Sequence, residues 1–172
     1  MEIRSFDPRT ANDGLIDSWY RLNRTWRLEN VPDEPVYSRE DLVEQVLSSL
    51  HLRDLRVFWT EDEIGGMGAM ASLSIRKGGN STIPGSVRIF VHPDLREKGI
   101  GTALLGKTLN LAGEKGLKTI RFITCSRCPA GKAFMNKLGA TALETNRANR
   151  LSLNEVDKDL IESWLEYPDN DN

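Results

Sequence analysis

The stretch HPDLREKGIGTALL, residues 92–105, joins the end of a predicted strand to an apolar run that predicts a helix beginning at Gly99. A helix N-terminus presents backbone N–H groups without partners and carries a partial positive charge. Gly99 and Gly101 leave these amides open to a bulky group, and Arg96 and Lys98 add positive charge nearby. The stretch therefore predicts an anion-binding site at the mouth of the helix.

The position of this site narrows the choice of anion. It follows the carboxyl end of a strand, where open α/β sheets bind ligands, and a diphosphate suits several converging amides. The motif is not the dinucleotide fingerprint, which needs a third glycine, nor a P-loop, which needs Gly-Lys-Ser/Thr. The alternative is that Gly99 only permits a tight turn, with Arg96 and Lys98 as solvated surface charges.

Outward from this stretch, hydrophobic periodicity predicts an alternating series of strands and helices. Strands are predicted at residues 2–6, 55–60, 67–75, 86–92 and 119–125, and helices at residues 11–29, 38–50, 99–115, 129–138 and 157–165. One or two further strands are predicted within residues 140–153. A strand–helix–strand unit in the second half implies a parallel pair within a mixed sheet that helices cover.

The composition is that of a globular protein without a strong charge bias. The chain has 172 residues, of which 28% are charged, and a net charge of −2, so general attraction to nucleic acid is not expected. No apolar run approaches the ~20 residues of a membrane span, and the polar start MEIRSFDPRT does not resemble a signal peptide. We therefore expect a cytoplasmic protein with free thiols, built as one domain over residues 1–153 and a C-terminal helix and tail over residues 154–172.

Residues 91–105, VHPDLREKGIGTALL, resemble the coenzyme A motif of the GNAT superfamily of N-acetyltransferases, Arg/Gln-x-x-Gly-x-Gly/Ala. The defining positions fall at Arg96, Gly99 and Gly101, and residues 133–139, AFMNKLG, resemble a later helix of the family. The order of elements along most of the chain is also similar. The resemblance implies the α+β (α/β) class and the GNAT-like three-layer fold, in which a mixed, mostly antiparallel sheet has helices on both faces.

By this resemblance the chain uses acetyl-CoA as a cosubstrate and no metal. The backbone around Phe90 and Val91 would hydrogen-bond the pantetheine arm, and Phe134 and Lys137 would flank the far part of the coenzyme. The pyrophosphate would be held by the amides of a continuous run of residues: Arg96, Glu97, Lys98, Gly99, Ile100, Gly101 and Thr102.

The catalytic positions depart from the family pattern. The tyrosine that usually protonates the thiolate falls at Met135, which cannot give up a proton, and the strand around Arg88 lacks the glutamate that often acts as base. Cys128 corresponds to an asparagine that often begins the later helix, and it is the candidate acid. These departures favour, as an alternative, a non-catalytic acyl-CoA-binding or sensor module on the same fold.

Cys125 and Cys128 form a Cys-x-x-Cys motif between a strand and a helix, which is the setting of a thiol–disulfide oxidoreductase. The competing interpretation makes Cys125 a small core residue at a strand end. A structural zinc would need a second ligand pair, and His51 and His92 do not provide one. Redox chemistry is therefore kept as a third alternative.

The acceptor is expected between the first two helices and the strand ends. Aromatic and acidic residues available there are Trp19, Trp26, Glu29, Asp33, Glu34, Tyr37 and Trp59. An acidic loop beside aromatic rings would favour a cationic amine, although both tryptophans of the first helix also suit the core. We expect an N-acetyltransferase for a small-molecule or peptide amine. The apolar face around Trp164 is expected to pack on the core, or against a second subunit of a homodimer.

Overall fold

A computed structural model of the chain describes residues 1–78, 83–145, 152 and 154–165. The chain divides into two compact units, Met1–Leu138 and Gly139–Asn172, at a point before the boundary expected after residue 153. The first unit contains strands β1 (Arg4–Phe6), β2 (Arg53–Glu61), β3 (Met67–Arg76), β4 (Gly85–Val91) and β5 (Ile120–Phe122), and helices α1 (Asp13–Asn30), α2 (Arg39–Ser49), α3 (Ile100–Glu114) and α4 (Pro129–Lys137). The second unit contains α5 (Lys158–Leu165).

The five strands form one open sheet in the order β1-β2-β3-β4-β5. Neighbours from β1 to β4 are antiparallel, and β4 and β5 are parallel because α3 carries the chain back between them. The prediction of a mixed, mostly antiparallel sheet is therefore confirmed.

The two faces of the sheet bury separate apolar clusters. Along β3, Met70 belongs to a cluster with Trp19 and Leu22 of α1, whereas Ala69 and Ala71 pack with Leu104 of α3. Alternate residues of a strand point to opposite faces, so this division puts α1 and α2 on one face of the sheet and α3 on the other. The three-layer arrangement is confirmed.

Helix starts follow the polar residues that precede them. The Asn12 side chain accepts from the amide of Leu15 at the start of α1. At α2, Ser38 accepts from the amide of Asp41 at 3.0 Å, and the Asp41 carboxylate accepts from the amide of Ser38 at 3.2 Å, which is the reciprocal arrangement of a capping box.

Strand β5 is shorter than the predicted residues 119–125. Its registered pairs with β4 end at Val87–Phe122, and the chain then turns, with the amide of Cys128 donating to the carbonyl of Cys125 at 3.1 Å. The extra apolar residues of this segment resemble a strand in sequence, but they have no strand partner in the described ladder.

The second unit also differs from expectation. Residues 140–145 form no strand, and the rest of the predicted strand region, residues 146–151 and 153, lies outside the described residues. The predicted final helix is confirmed as α5, which carries the apolar side chains Leu160, Ile161, Trp164 and Leu165. No helix in the described ranges is long and apolar enough to span a membrane.

Asp7, at the end of β1, gives a pH-dependent contribution to stability. Its carboxylate accepts from the Arg9 amide and guanidinium, and Arg9 lowers the pKa of Asp7 to about 2. Because this pKa is depressed in the folded state, the stabilisation is present above pH ~4 and is lost as the pH falls towards 2. We expect Asp7→Asn to lower the free energy of unfolding at pH 7 by roughly 1 kcal/mol, since water screens the pair.

Urea unfolding at pH 7 and at pH 2.5 checks this prediction. The difference between wild type and Asp7→Asn should shrink by more than half at the lower pH, because Asp7 is then protonated in the unfolded chain and partly protonated in the folded protein. Glu63→Gln, which removes an exposed carboxylate, should match wild type at pH 7. A difference that persists unchanged at pH 2.5 would assign the effect to packing instead of charge.

Candidate active site

Strands β4 and β5 part after a short parallel contact. Their registered pairs run from Gly85–Ile120 to Val87–Phe122, whereas β4 continues to Val91 and, among the described residues, pairs there only with β3. An opening therefore lies beside residues 88–91 of β4.

Two hydrogen bonds fix which residues of β4 face this opening. The amide of His92 donates to the carbonyl of Gly68 at 2.9 Å, so the even-numbered residues exchange hydrogen bonds with β3. On the other side, the amide of Gly85 donates to the carbonyl of Thr119 at 3.3 Å, so the odd-numbered residues face β5. Both observations give the same alternation.

Ile89 and Val91 therefore turn their backbone groups towards the opening, where β5 no longer pairs. The Val91 carbonyl accepts from Arg96 Nε at 3.1 Å, which leaves both amides and the Ile89 carbonyl for a ligand. Of the two residues predicted from the sequence, Val91 lies at the opening, but the backbone of Phe90 faces β3. Ile89 was missed because the strand pattern does not reveal which alternate residues face a gap.

The loop before α3 turns its amides outward. Glu97 and Gly99 have φ angles of 63° and 78°, and such left-handed residues within a turn make consecutive amides converge. Gly99 is the N-cap of α3 and has no side chain to cap the helix, and the first intrahelical bond is donated by Ala103. The amides of residues 100–102 therefore have no helical acceptor and are available to an anion.

Gly101 and Phe134 lie side by side at this helix start. A Cβ built on Gly101 would lie 3.8 Å from the Phe134 ring and 3.7 Å from Val91 Cγ2. Three predicted residues are therefore brought together, from β4, α3 and α4. Lys137 is exposed one turn beyond Phe134 in α4.

Arg96 does not supply free charge to this loop. Its guanidinium forms a two-point ion pair with Glu29 of α1, at 2.7 and 2.6 Å, and also donates to the Val91 carbonyl. The hydrogen bond to Glu29 raises the pKa of Arg96 above its usual value. Arg96 thus ties the end of α1 to the end of β4. Lys98 is exposed without an ion-pair partner in the described part of the chain, so it is the cation left to the loop.

The two cysteines occupy the turn after β5. The Cys125 thiol donates to Asn30 Oδ1 at 3.0 Å, and both cysteines are free thiols. Cys128 begins α4 and lies close enough to Arg96 for its charge, when ionised, to raise the pKa of Arg96 further. Cys128 therefore lies within electrostatic range of Arg96, at the end of the turn that follows β5. Within the described ranges, no group of three His, Cys, Asp or Glu side chains is arranged to hold a metal.

The acidic residues expected at the acceptor side are paired with arginines. Glu34 lies 3.0 Å from Arg27, and Asp33 lies 2.6 Å from Arg127. The free acidic surface expected to favour a cationic amine is therefore absent at these two residues.

The tryptophans expected near the acceptor divide into two groups. Trp19 and Trp59 are core residues, 4% and 8% exposed. Trp26 and Tyr37 line a cavity of about 60 Å³ between α1, α2 and β4, which Arg88 also lines.

Residues 53–151, more than half of the chain, match the family model described as acetyltransferase (GNAT) domain. Among solved structures, the chain is similar to the aminoglycoside N-acetyltransferase AAC(6')-Iy, at 21% identity and a TM-score of 0.60 over 88% of this chain and 97% of that one. That structure is a complex with a bisubstrate analogue that contains CoA. It is also similar to a ribosomal-protein-alanine N-acetyltransferase from Brucella melitensis biovar Abortus 2308, at 15% identity and a TM-score of 0.64 over 88% of this chain and 100% of that one. A third similar structure is the aminoglycoside 6'-N-acetyltransferase AAC(6')-IG from Acinetobacter haemolyticus, at 16% identity and a TM-score of 0.62 over 89% of this chain and 99% of that one. At these identities the likenesses show the fold alone. No curated protein sequence matches the chain.

Proposed function

Because the chain belongs to the GNAT acetyltransferase family, we propose that it transfers an acetyl group from acetyl-CoA to a primary amine of a small molecule or peptide by direct attack. One observation carries the proposal. Unpaired backbone groups run from Ile89 and Val91 at the parted strands to the amides of residues 100–102 at the start of α3. Two of the similar solved structures are named as enzymes that acetylate a ribosomal protein or an aminoglycoside, and this supports an amine acceptor in general.

The residues present fit coenzyme A. Ile89 offers an amide and a carbonyl along a strand edge. The amide groups of a pantetheine arm could form hydrogen bonds with them in the way that a neighbouring strand would. The amides of residues 100–102 and the partial charge of α3 suit the diphosphate. Phe134 offers an apolar wall beside Gly101. The bound coenzyme would supply the activated acetyl thioester.

The chain's own contribution to the reaction is mainly positioning. The Val91 amide, without a strand partner at the opening, is suited to donate to the oxygen that gains negative charge when the amine attacks. The strand around Arg88 lacks the glutamate that the resemblance would expect as a base, and Arg88 adds a cation to this strand. The proton of the attacking amine must therefore pass to water or to another group near the bound amine.

Release of free thiol from acetyl-CoA, measured with a panel of primary amines, tests transfer directly. We expect amine-dependent thiol release together with an acetylated product of the right mass. The alternative, a non-catalytic acyl-CoA-binding module, is favoured by Met135 and by the missing glutamate. Coenzyme A binding by calorimetry without amine-dependent release would support that module and reject transfer.

Cys128 is the proposed donor of a proton to the leaving thiolate, because it precedes α4 in the turn where the chain leaves β5 and the two strands part. We expect Cys128→Ser to lower kcat about 100-fold or more, the lower range of acid–base contributions, with coenzyme A affinity unchanged. Cys125→Ser is the matched control, since that thiol is bonded to Asn30 and should not affect kcat by more than about 2-fold. Unchanged turnover in Cys128→Ser would remove Cys128 from the mechanism.

A further inference from the structure

The cavity between α1, α2 and β4 carries a concentration of positive charge. Arg24 and Arg27 come from α1, three residues apart and so on one side of the helix, and Arg88 comes from β4. Among the residues that the structure describes, no aspartate or glutamate lines this cavity. Its walls are otherwise aromatic, amide and apolar side chains, including Tyr20 and Tyr37.

The three arginines differ in the hydrogen bonds and ion pairs that their guanidinium groups already form. Arg27 donates to Glu34 and to the Pro35 carbonyl, both at 3.0 Å, and its guanidinium lies 4.0 Å from the centre of the Tyr37 ring. Its buried Nε nonetheless has no hydrogen-bond partner among the described residues. Arg24 and Arg88 are exposed and make no ion pair within the part of the chain that the structure describes. The cavity therefore retains donors that a negatively charged group would satisfy.

The cavity adjoins the parted strands. Arg88 shares a face of β4 with Phe90, which packs against the apolar cluster of α1. At about 3.4 Å per strand residue, Arg88 lies roughly 10 Å along β4 from Val91, whose amide borders the opening. When the amine of a small acceptor lies at the opening, the other end of the same molecule would reach the cavity.

We infer that the acceptor is a primary amine that also carries an anionic group, a carboxylate or a phosphate, and that Arg24 and Arg88 bind this group. The inference rests on the proposed function and names the substrate class of the same site. Guanidinium groups bind carboxylate and phosphate oxygens in two-point geometry. The volume of about 60 Å³ corresponds to about two water molecules, which is room for one such group. A polyamine would bring further positive charge towards three arginines, and like charges repel at this range.

Acceptors compared in matched pairs test the inference. Each pair has the same amine with and without the anion at the far end of a chain long enough for the distance: 6-aminohexanoate against its carboxamide, and 5-aminopentyl phosphate against 5-aminopentanol, with spermidine as a polycation. At saturating acetyl-CoA we expect kcat/KM to be at least about 10-fold higher for the anionic member of one pair, the scale of a charge-assisted contact. The pair that responds tells carboxylate from phosphate.

Variants assign the preference to residues. Arg24→Gln and Arg88→Gln should each bring the ratio of kcat/KM for the anionic amine to kcat/KM for its neutral counterpart towards one. Arg21→Gln, an exposed residue of α1 outside the cavity, should leave it unchanged. Preference for spermidine or the neutral amines, or a ratio unaffected by Arg88→Gln, overturns the inference while acetyl transfer itself stands.

A binding measurement separates failure of the inference from failure of the proposed function. Each anionic amine is titrated by calorimetry into protein saturated with coenzyme A. If no amine is acetylated, transfer is rejected, and binding that weakens about 10-fold in Arg88→Gln still supports the anion site. Absence of binding for both anionic amines overturns the site as well.

Discussion

Replacement of Gly101 by glutamate is expected to weaken coenzyme A binding by more than about 100-fold, which is about 2.7 kcal/mol of binding free energy. The new carboxylate would lie at the start of α3, where it repels a diphosphate and competes for the same unpaired amides. The fold should persist, because a Cβ at this position makes only ordinary contacts of 3.7–3.8 Å with Val91 and Phe134.

Calorimetric titration with coenzyme A measures this loss, and the thermal midpoint checks the fold. Gly101→Ala is the matched control, since its methyl group fits the available space without charge, and it should change affinity by no more than a few fold. Gly101→Glu with wild-type affinity would show that the amides of residues 100–102 do not hold the diphosphate.

Replacement of Val91 by proline is expected to lower kcat about 100- to 1000-fold, the usual cost of one lost oxyanion donor. Proline deletes the Val91 amide, which faces the opening and takes no part in the ladder with β3. The ladder bonds at residues 90 and 92 remain, so the protein should fold, and coenzyme A affinity should fall much less than kcat.

Phe90→Pro provides the contrast. It removes an amide that faces β3, so we expect a destabilised protein, by about 1–3 kcal/mol for the unsatisfied ladder carbonyl. Urea unfolding and steady-state kinetics on both variants separate the two effects. If Val91→Pro loses stability as Phe90→Pro does, or keeps its kcat, the Val91 amide is not the oxyanion donor.

Local chemistry made the start of α3 predictable from the sequence. Gly99 and Gly101 precede an apolar helix, and the left-handed φ of Gly99 and the open amides after it follow from these residue types. The order of strands was also predictable, because apolar runs and a strand–helix–strand unit leave few arrangements. Which backbone groups of β4 face the opening was not, since that depends on where β5 leaves the sheet.

Ion pairs between residues far apart in the chain could not be predicted from the sequence. The Arg96 side chain was expected to add positive charge at the mouth of α3, but its partner is Glu29, 67 residues away. Arg24 and Arg88 carried no periodic signal, and only the packing of α1 and α2 against β4 brings them to one cavity. Such contacts are decided by tertiary geometry, which local patterns do not encode.

The Glu29–Arg96 pair has a consequence for the binding of the two substrates. It joins the last turn of α1, which bears the acceptor cavity, to the loop that begins α3, so a displacement of either segment acts on the other. Two ligands that share such a connection influence each other's affinity by equal factors. Acetyl-CoA bound at the start of α3 should therefore change the affinity of the protein for the amine, and the amine should change its affinity for acetyl-CoA by the same factor.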